Sequence, residues 1–187
     1  MSIAAQFTIE QYKRMIDAGV FDDRDGRRIE LFRGEVVDMS PIGDRHAWIV
    51  QQLDALSHEL LRAKDAHIRV QAPMVLPEFA SRPEPDLVWA SPANFRNRSP
   101  QASEVLLLIE VADTTWMYDS REKADLYAEA GIADYWLVNV SDNYVIVHRE
   151  PAAKGYRTRK QHRGQDELRP LAFPELVIRP DDFLSEP

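Results

Sequence analysis

Cysteine is absent from all 187 residues, so the chain has no disulfide framework and no thiolate for a metal. Any metal site must use oxygen or imidazole ligands. Long apolar runs are missing too. The longest, Val105 to Ile109, stops at Glu110, well short of the roughly 20 residues that cross a bilayer. The opening MSIAAQFTIEQYKRM has neither the basic start nor the apolar stretch of a signal peptide. A cytoplasmic protein with no membrane partner is the expectation. Positive charge is in deficit, with 23 Lys and Arg against 31 Asp and Glu and a formal net charge of -8. That is the wrong sign for holding nucleic acid through bulk electrostatics. No Gly-rich phosphate loop of the dinucleotide or Walker type occurs, and no serine is framed as a nucleophile elbow. His58, His67, His148 and His162 show no ligand spacing, which argues against zinc.

What is present is the composition of an ordinary globular protein, 44% hydrophobic and 29% charged. The length suits one domain covering residues 1–187. Thr8 and Gln11 form a capping box ahead of Ile9, Tyr12 and Ile16, which predicts a helix over residues 8–18. Arg28 to Phe32 and Glu35 to Met39 read as strands around Arg33-Gly34. Ile49, Leu53, Leu56 and Leu60 recur at helical spacing after Asp44, a fitting N-cap. Strand texture follows at Ile68 and Val70, at Met74 to Leu76 and at Asp86 to Ala90. Residues 91–103 read as loop. Glu104 to Ala112 is an apolar run of strand length that suits a strand buried on both faces. Residues 119–130 return to helix spacing until Gly131. Asp134 to Val140 and Tyr144 to His148 read as strands, and the tail as one more strand pair at most. This order is that of an α/β (α+β) fold, a mixed β-sheet flanked by helices.

Two carboxylates stand out. Asp86 opens a strand after a Pro-bearing loop, and Glu110 closes an apolar run in which a bare charge would be costly to bury. On neighbouring strands both could converge at one end of the sheet, as the hard ion Mg²⁺ requires. The alternative is structural: a strand cap and an ordinary ion pair. Asp119, Lys123 and Tyr127 share one helix face, and Lys123 must reach a carboxylate, a phosphate or solvent, the plainer case being an Asp-Lys pair on a surface helix. Glu30 alternates with Ile29 and Leu31, so its side chain takes the other face, where most glutamates are solvated. His46 lies near the apolar stripe of its helix, a place where a histidine is more often a hydrogen-bonded packing residue than a ligand. Lys154 to Arg163 is the one basic segment, with Arg96 and Arg98 a smaller cluster. Each reads as phosphate-touching or as plain solvated loop.

Taken together, Arg28-Ile-Glu30-Leu-Phe-Arg-Gly34-Glu35, His46 opening a helix, Pro85-Asp86-Leu-Val, Leu-Leu-Ile-Glu110-Val111, Asp119-x-x-x-Lys123-x-x-x-Tyr127 and Gly131-Ile-Ala-Asp-Tyr135-Trp136-Leu-Val resemble the Uma-type restriction endonuclease family of the PD-(D/E)XK nuclease superfamily. The resemblance runs from about Thr8 to Pro180. It implies a restriction-endonuclease-like core and metal-dependent hydrolysis of phosphodiester bonds in DNA. Asp86 and Glu110 would match the superfamily's two acidic positions and, with the Val111 carbonyl, bind Mg²⁺ or Mn²⁺. Ala112 stands where the superfamily's lysine is usual, and the resemblance assigns that role to Lys123 in the following helix. Glu30 would match the early glutamate of such sites, binding a second metal or a metal-bound water. His46, Tyr127 and Asp119 would hold the surrounding elements in place. DNA is the implied substrate, and a homodimer is a further expectation. A non-catalytic interaction module on the same fold, and a hydrolase of a smaller phosphoester, are the alternatives.

Overall fold

The computed structural model describes residues 5–22, 28–62, 64–113 and 119–185. Helix α1 (Ile9–Asp17) carries the expected capping box. Thr8 Oγ1 accepts from the Gln11 N–H at 3.2 Å, and Gln11 Oε1 accepts from the Thr8 N–H at 2.8 Å. The Tyr12 hydroxyl donates to the Ile29 carbonyl at 2.6 Å and so ties α1 to a two-stranded hairpin, β1 (Ile29–Phe32) and β2 (Glu35–Asp38). Arg33 and Gly34 both adopt positive φ at its turn, the geometry that a tight two-residue connection imposes.

Helix α2 (Asp44–Leu60) follows. Its N-cap is Gly43 and not the expected Asp44, which occupies the first helical position and makes no side-chain cap. There its charge still complements the helix dipole. Beyond α2 lies a six-stranded sheet of β3 (His67–Val70), β4 (Leu87–Ala90), β5 (Val105–Ala112), β6 (Asp134–Asn139), β7 (Tyr144–Ala152) and β8 (Gly155–His162), ordered β3-β4-β5-β6-β7-β8. Every neighbouring pair is antiparallel except β5 and β6, which are parallel. A parallel pair needs a crossover. Here it carries α3 (Ala124–Glu129), entered through a wider π-helical turn at Asp119–Lys123 where a continuous helix was expected. Met74 to Leu76 forms only isolated bridges and no strand. The basic segment 154–163, read as phosphate-touching or as plain solvated loop, is largely the edge strand β8.

Side chains alternate between the two faces of the sheet, as the pleat requires. Leu107, Ile109 and Val111 of β5 join Trp89, Trp136 and Val138 in a core covered by α2 and by α4 (Asp181–Leu184). Leu108 and Ala112 point the other way, toward Leu126 and Tyr127 of α3. The polar edge of Trp89 is satisfied by the Ser57 hydroxyl at 2.9 Å. Among the described residues no helix is long and apolar enough to cross a membrane.

On the α3 side His148 is buried, stacked on Tyr135 at 4.9 Å and beside Tyr156 at 5.4 Å between ring centroids. Burial, helped by the nearby Arg159 charge, pushes its pKa down to about 4. The unfolded chain binds the proton more tightly, so stability from neutral His148 is complete above about pH 6.5. It drains away as the pH falls toward about 4. Urea unfolding of wild type should therefore lose about 2 kcal/mol more than His148→Phe between pH 7 and pH 5. Equal losses would mean that the folded protein accommodates the charged ring.

Candidate functional site

Three segments far apart in sequence meet at one end of the sheet. Glu110 extends from β5 on the α3 side, where its Oε1 accepts from Lys123 Nζ at 3.0 Å and from the Tyr127 hydroxyl at 2.7 Å. Lys123 also donates to Glu30 Oε1 at 3.3 Å. Lys123 is 1% exposed, Glu30 0% and Glu110 3%, which sets aside both the surface-helix reading of the lysine and the solvated reading of the glutamate. Burial of this kind is tolerated only when charges are paired and hydrogen-bonded. The i, i+4 spacing of Lys123 and Tyr127 brings both to one carboxylate oxygen. Burial, and then the charge of Glu110, hold the Tyr127 pKa well above its ordinary value, so its hydroxyl remains a donor. The Asp119 side chain, also expected here, lies outside the described residues.

Asp86 stands one residue before β4 and is as deeply enclosed. Its Oδ1 accepts from His46 Nε2 at 3.0 Å and from Gln71 Nε2 at 3.3 Å, and its Oδ2 from the Val111 N–H at 2.9 Å. Since an ionised carboxylate only accepts, the proton of that His46 bond sits on Nε2. Burial alone would raise the Asp86 pKa. The His46 hydrogen bond and charge, Arg28 and the Val111 N–H outweigh it and hold the carboxyl below its usual range. His46 is thus the hydrogen-bonded residue expected beside that stripe, with Asp86 as its partner. The Asp86 N–H in turn lies 3.4 Å from Glu110 Oε2, which joins the two carboxylates across the strand pair.

A cleft of about 110 Å³ opens onto this cluster, lined by Asp86, Glu110, Val111, Lys123, His46 and Arg28 together with the loop Ser40 to Gly43. Glu30 does not line it and stands behind Lys123. Leu87 pairs with Ile109, so the register continued two residues sets Pro85 opposite Val111. Proline has no N–H to offer that carbonyl. Among the described residues no three His, Cys, Asp or Glu side chains gather as a metal cage. Two carboxylates and a main-chain carbonyl at a polar cleft nevertheless fit the donor set of Mg²⁺, which keeps several waters and takes few protein ligands. Sequence reasoning missed Arg28, Gln71 and Asp113 around this cleft. Arg28 had a signal, since it lies two residues before Glu30 and shares its strand face. Gln71, held at a positive φ of 44°, had none.

Removing the ammonium from this cluster should leave two buried carboxylates face to face. Lys123→Met is expected to lower the unfolding free energy by about 3–5 kcal/mol at pH 7.5. Lower pH relieves the repulsion of buried like charges, so the deficit should shrink toward pH 5. Adding Glu30→Gln should recover part of it. Urea titrations of the single and double variants measure all three effects, and an undiminished Lys123→Met stability would show that the ion pairs hold nothing together.

The chain superimposes with a TM-score of 0.72 on the crystal structure of a "putative nuclease belonging to DUF820" from Anabaena variabilis, at 13% identity, over 95% of this chain and 97% of that one. At that identity the likeness concerns the fold. No curated protein matches. The model of the family Uma2, described as "Putative restriction endonuclease", matches residues 9–181. That span takes in Glu30, Asp86, Glu110 and Lys123, and the chain belongs to this family.

Proposed function

We propose that the chain is a metal-dependent endonuclease that hydrolyses phosphodiester bonds in DNA. The observation that carries this reading is the meeting of Lys123 with Glu110 beside Asp86, at the wall of one cleft. A buried lysine between carboxylates is an expensive way to stabilise a fold, since an apolar side chain of similar size would often serve as well.

Asp86, Glu110 and the Val111 carbonyl would hold Mg²⁺ or Mn²⁺. Such an ion, when bound, supplies Lewis-acid polarisation of a phosphate and a more acidic water. Lys123 sets a fixed positive charge where negative charge grows on the phosphoryl oxygens and orients the attacking water. Glu30 holds Lys123 at that wall. Tyr127 fixes the carboxylate plane of Glu110, while His46, Gln71 and the Val111 N–H fix Asp86. Groups held in this way need little reorganisation when charge moves. Cutting both strands of a duplex calls for two such sites, which a symmetric pair of chains would provide.

A non-catalytic module on the same fold has one observation in its favour, the satisfaction of Asp86 and Glu110 by protein donors within an acidic chain. The deciding assay is cleavage of supercoiled plasmid in Mg²⁺ or Mn²⁺. Wild type should nick it, EDTA or Asp86→Ala should abolish nicking, and Lys123→Ala should slow it about 100-fold. Plasmid bound and left intact in every metal would favour the module. An untouched plasmid beside hydrolysis of bis(p-nitrophenyl) phosphate would point to a smaller phosphoester.

A further inference from the structure

Among the described residues, Arg28 is a cation at the cleft that the proposed machinery uses only through its charge on Asp86. Arg28 lies immediately before β1, and its carbonyl accepts from the Met39 N–H at 2.8 Å, which pins it to the hairpin. Two residues before Glu30, it projects from the same face of the strand. Glu30 reaches Lys123; Arg28 reaches the cleft. Its Nη1 comes within 3.6 Å of Asp86 Oδ1, an ion-pair contact beyond hydrogen-bond range. The oxygens of Asp86 are already served by His46, Gln71 and the Val111 N–H. Nε and Nη1 of Arg28 are shielded from solvent and have no hydrogen-bond partner among the described residues. Three other guanidinium groups close firmly on their carboxylates, Arg33 on Glu129 at 2.9 Å, Arg98 on Glu104 at 2.6 Å and Arg149 on Asp134 at 3.0 Å, whereas Arg82 stands 3.6 Å from Glu84 and does not line the cleft.

Enclosed donors without acceptors are costly, and a bound group that accepts from them removes the cost. The side chain is about one-fifth exposed, toward a polar cleft. What a guanidinium fork matches best is a carboxylate or a phosphate, through two parallel hydrogen bonds. Beside the Asp86, Glu110 and Asp113 carboxylates that line the cleft, a further carboxylate would gain little, whereas a tetrahedral phosphate has oxygens enough to face Lys123 as well. We propose that Arg28 is the phosphate anchor of this site, binding the non-bridging oxygens of a nucleic-acid phosphodiester and setting it against Asp86 and Glu110. This rests on the nuclease reading. It adds a substrate-contacting residue on the hairpin that is separate from the metal donors and from Lys123.

A contact to one phosphate displaces about one counterion, so its loss lowers the slope of log affinity against log salt by about one. Binding of a fluorescent 20-base-pair duplex, with Ca²⁺ in place of Mg²⁺ to suppress cleavage, should be followed from 50 to 200 mM salt for wild type, Arg28→Ala and Arg28→Lys. Arg28→Ala should bind at least tenfold more weakly at the lowest salt, with the slope reduced by about one, and circular dichroism should confirm its fold. Arg28→Lys should keep the slope while recovering only part of the affinity, because the charge remains and the fork is gone. Wild-type binding with an unchanged slope in Arg28→Ala overturns the assignment and leaves the nuclease reading standing. So does weakened Mn²⁺ binding with that unchanged slope, which would mean that Arg28 serves to position Asp86. A wild-type protein that neither binds nor cuts the duplex sinks the nuclease reading and this inference with it.

Discussion

The buried ammonium of Lys123, held between Glu30 and Glu110, joins three parts of the molecule at one point. Glu30 belongs to a hairpin outside the main sheet, Glu110 to a central strand and Lys123 to the crossover between two parallel strands. An apolar contact between the same elements would tolerate a shift of an ångström or so. Hydrogen bonds from one ammonium to two carboxylates tolerate far less, because a missed bond in the interior leaves a charge uncompensated. These bonds place the hairpin over the sheet together with main-chain bonds from the Arg82 N–H to the Leu31 carbonyl and from the Gly34 N–H to the Ala80 carbonyl.

The same logic extends outward. The Glu84 N–H donates to the carboxylate of Glu30 at 3.2 Å, and Glu84 leads within two residues to Asp86. The Asp86 N–H faces Glu110. Main-chain donors thus link the acidic groups in series, and each carboxylate is oriented by neighbours that are themselves fixed. This ordering explains how so many like charges coexist in one region of a chain that is already acidic.

Much of the architecture was legible because it rests on short-range rules. The capping box of α1, the apolar run of β5 and the spacing of α2 are decided within a few residues. Asp86 and Glu110 were legible as a pair because one follows a proline loop and the other interrupts an apolar run. Lys123 was ambiguous, since the helical pattern of its neighbours is the same whether that face meets water or two carboxylates. β8 was obscured for a different reason. At the sheet edge residues 157–161 are exposed on both faces, so no alternation marks them as a strand, and the charges that disguised it are those that discourage edge-to-edge pairing. Gly43 displaced Asp44 from the cap because helix boundaries shift by a residue with little local signal.

The sheet order runs in the order of the chain, β3 to β8, without a strand inserted out of turn. Each strand therefore finds its neighbour by closing a short or moderate loop, which costs little chain entropy. The cluster around Lys123 has the opposite character, since Glu30 and Lys123 are separated by 93 residues. Contacts of such long range are entropically the most expensive to form and weigh most on folding speed. Assembly of the sheet can thus run ahead of assembly of the cleft. Folding interrupted partway would leave a nearly complete scaffold with the cleft still unassembled, so closure of the cleft reports completion of the fold.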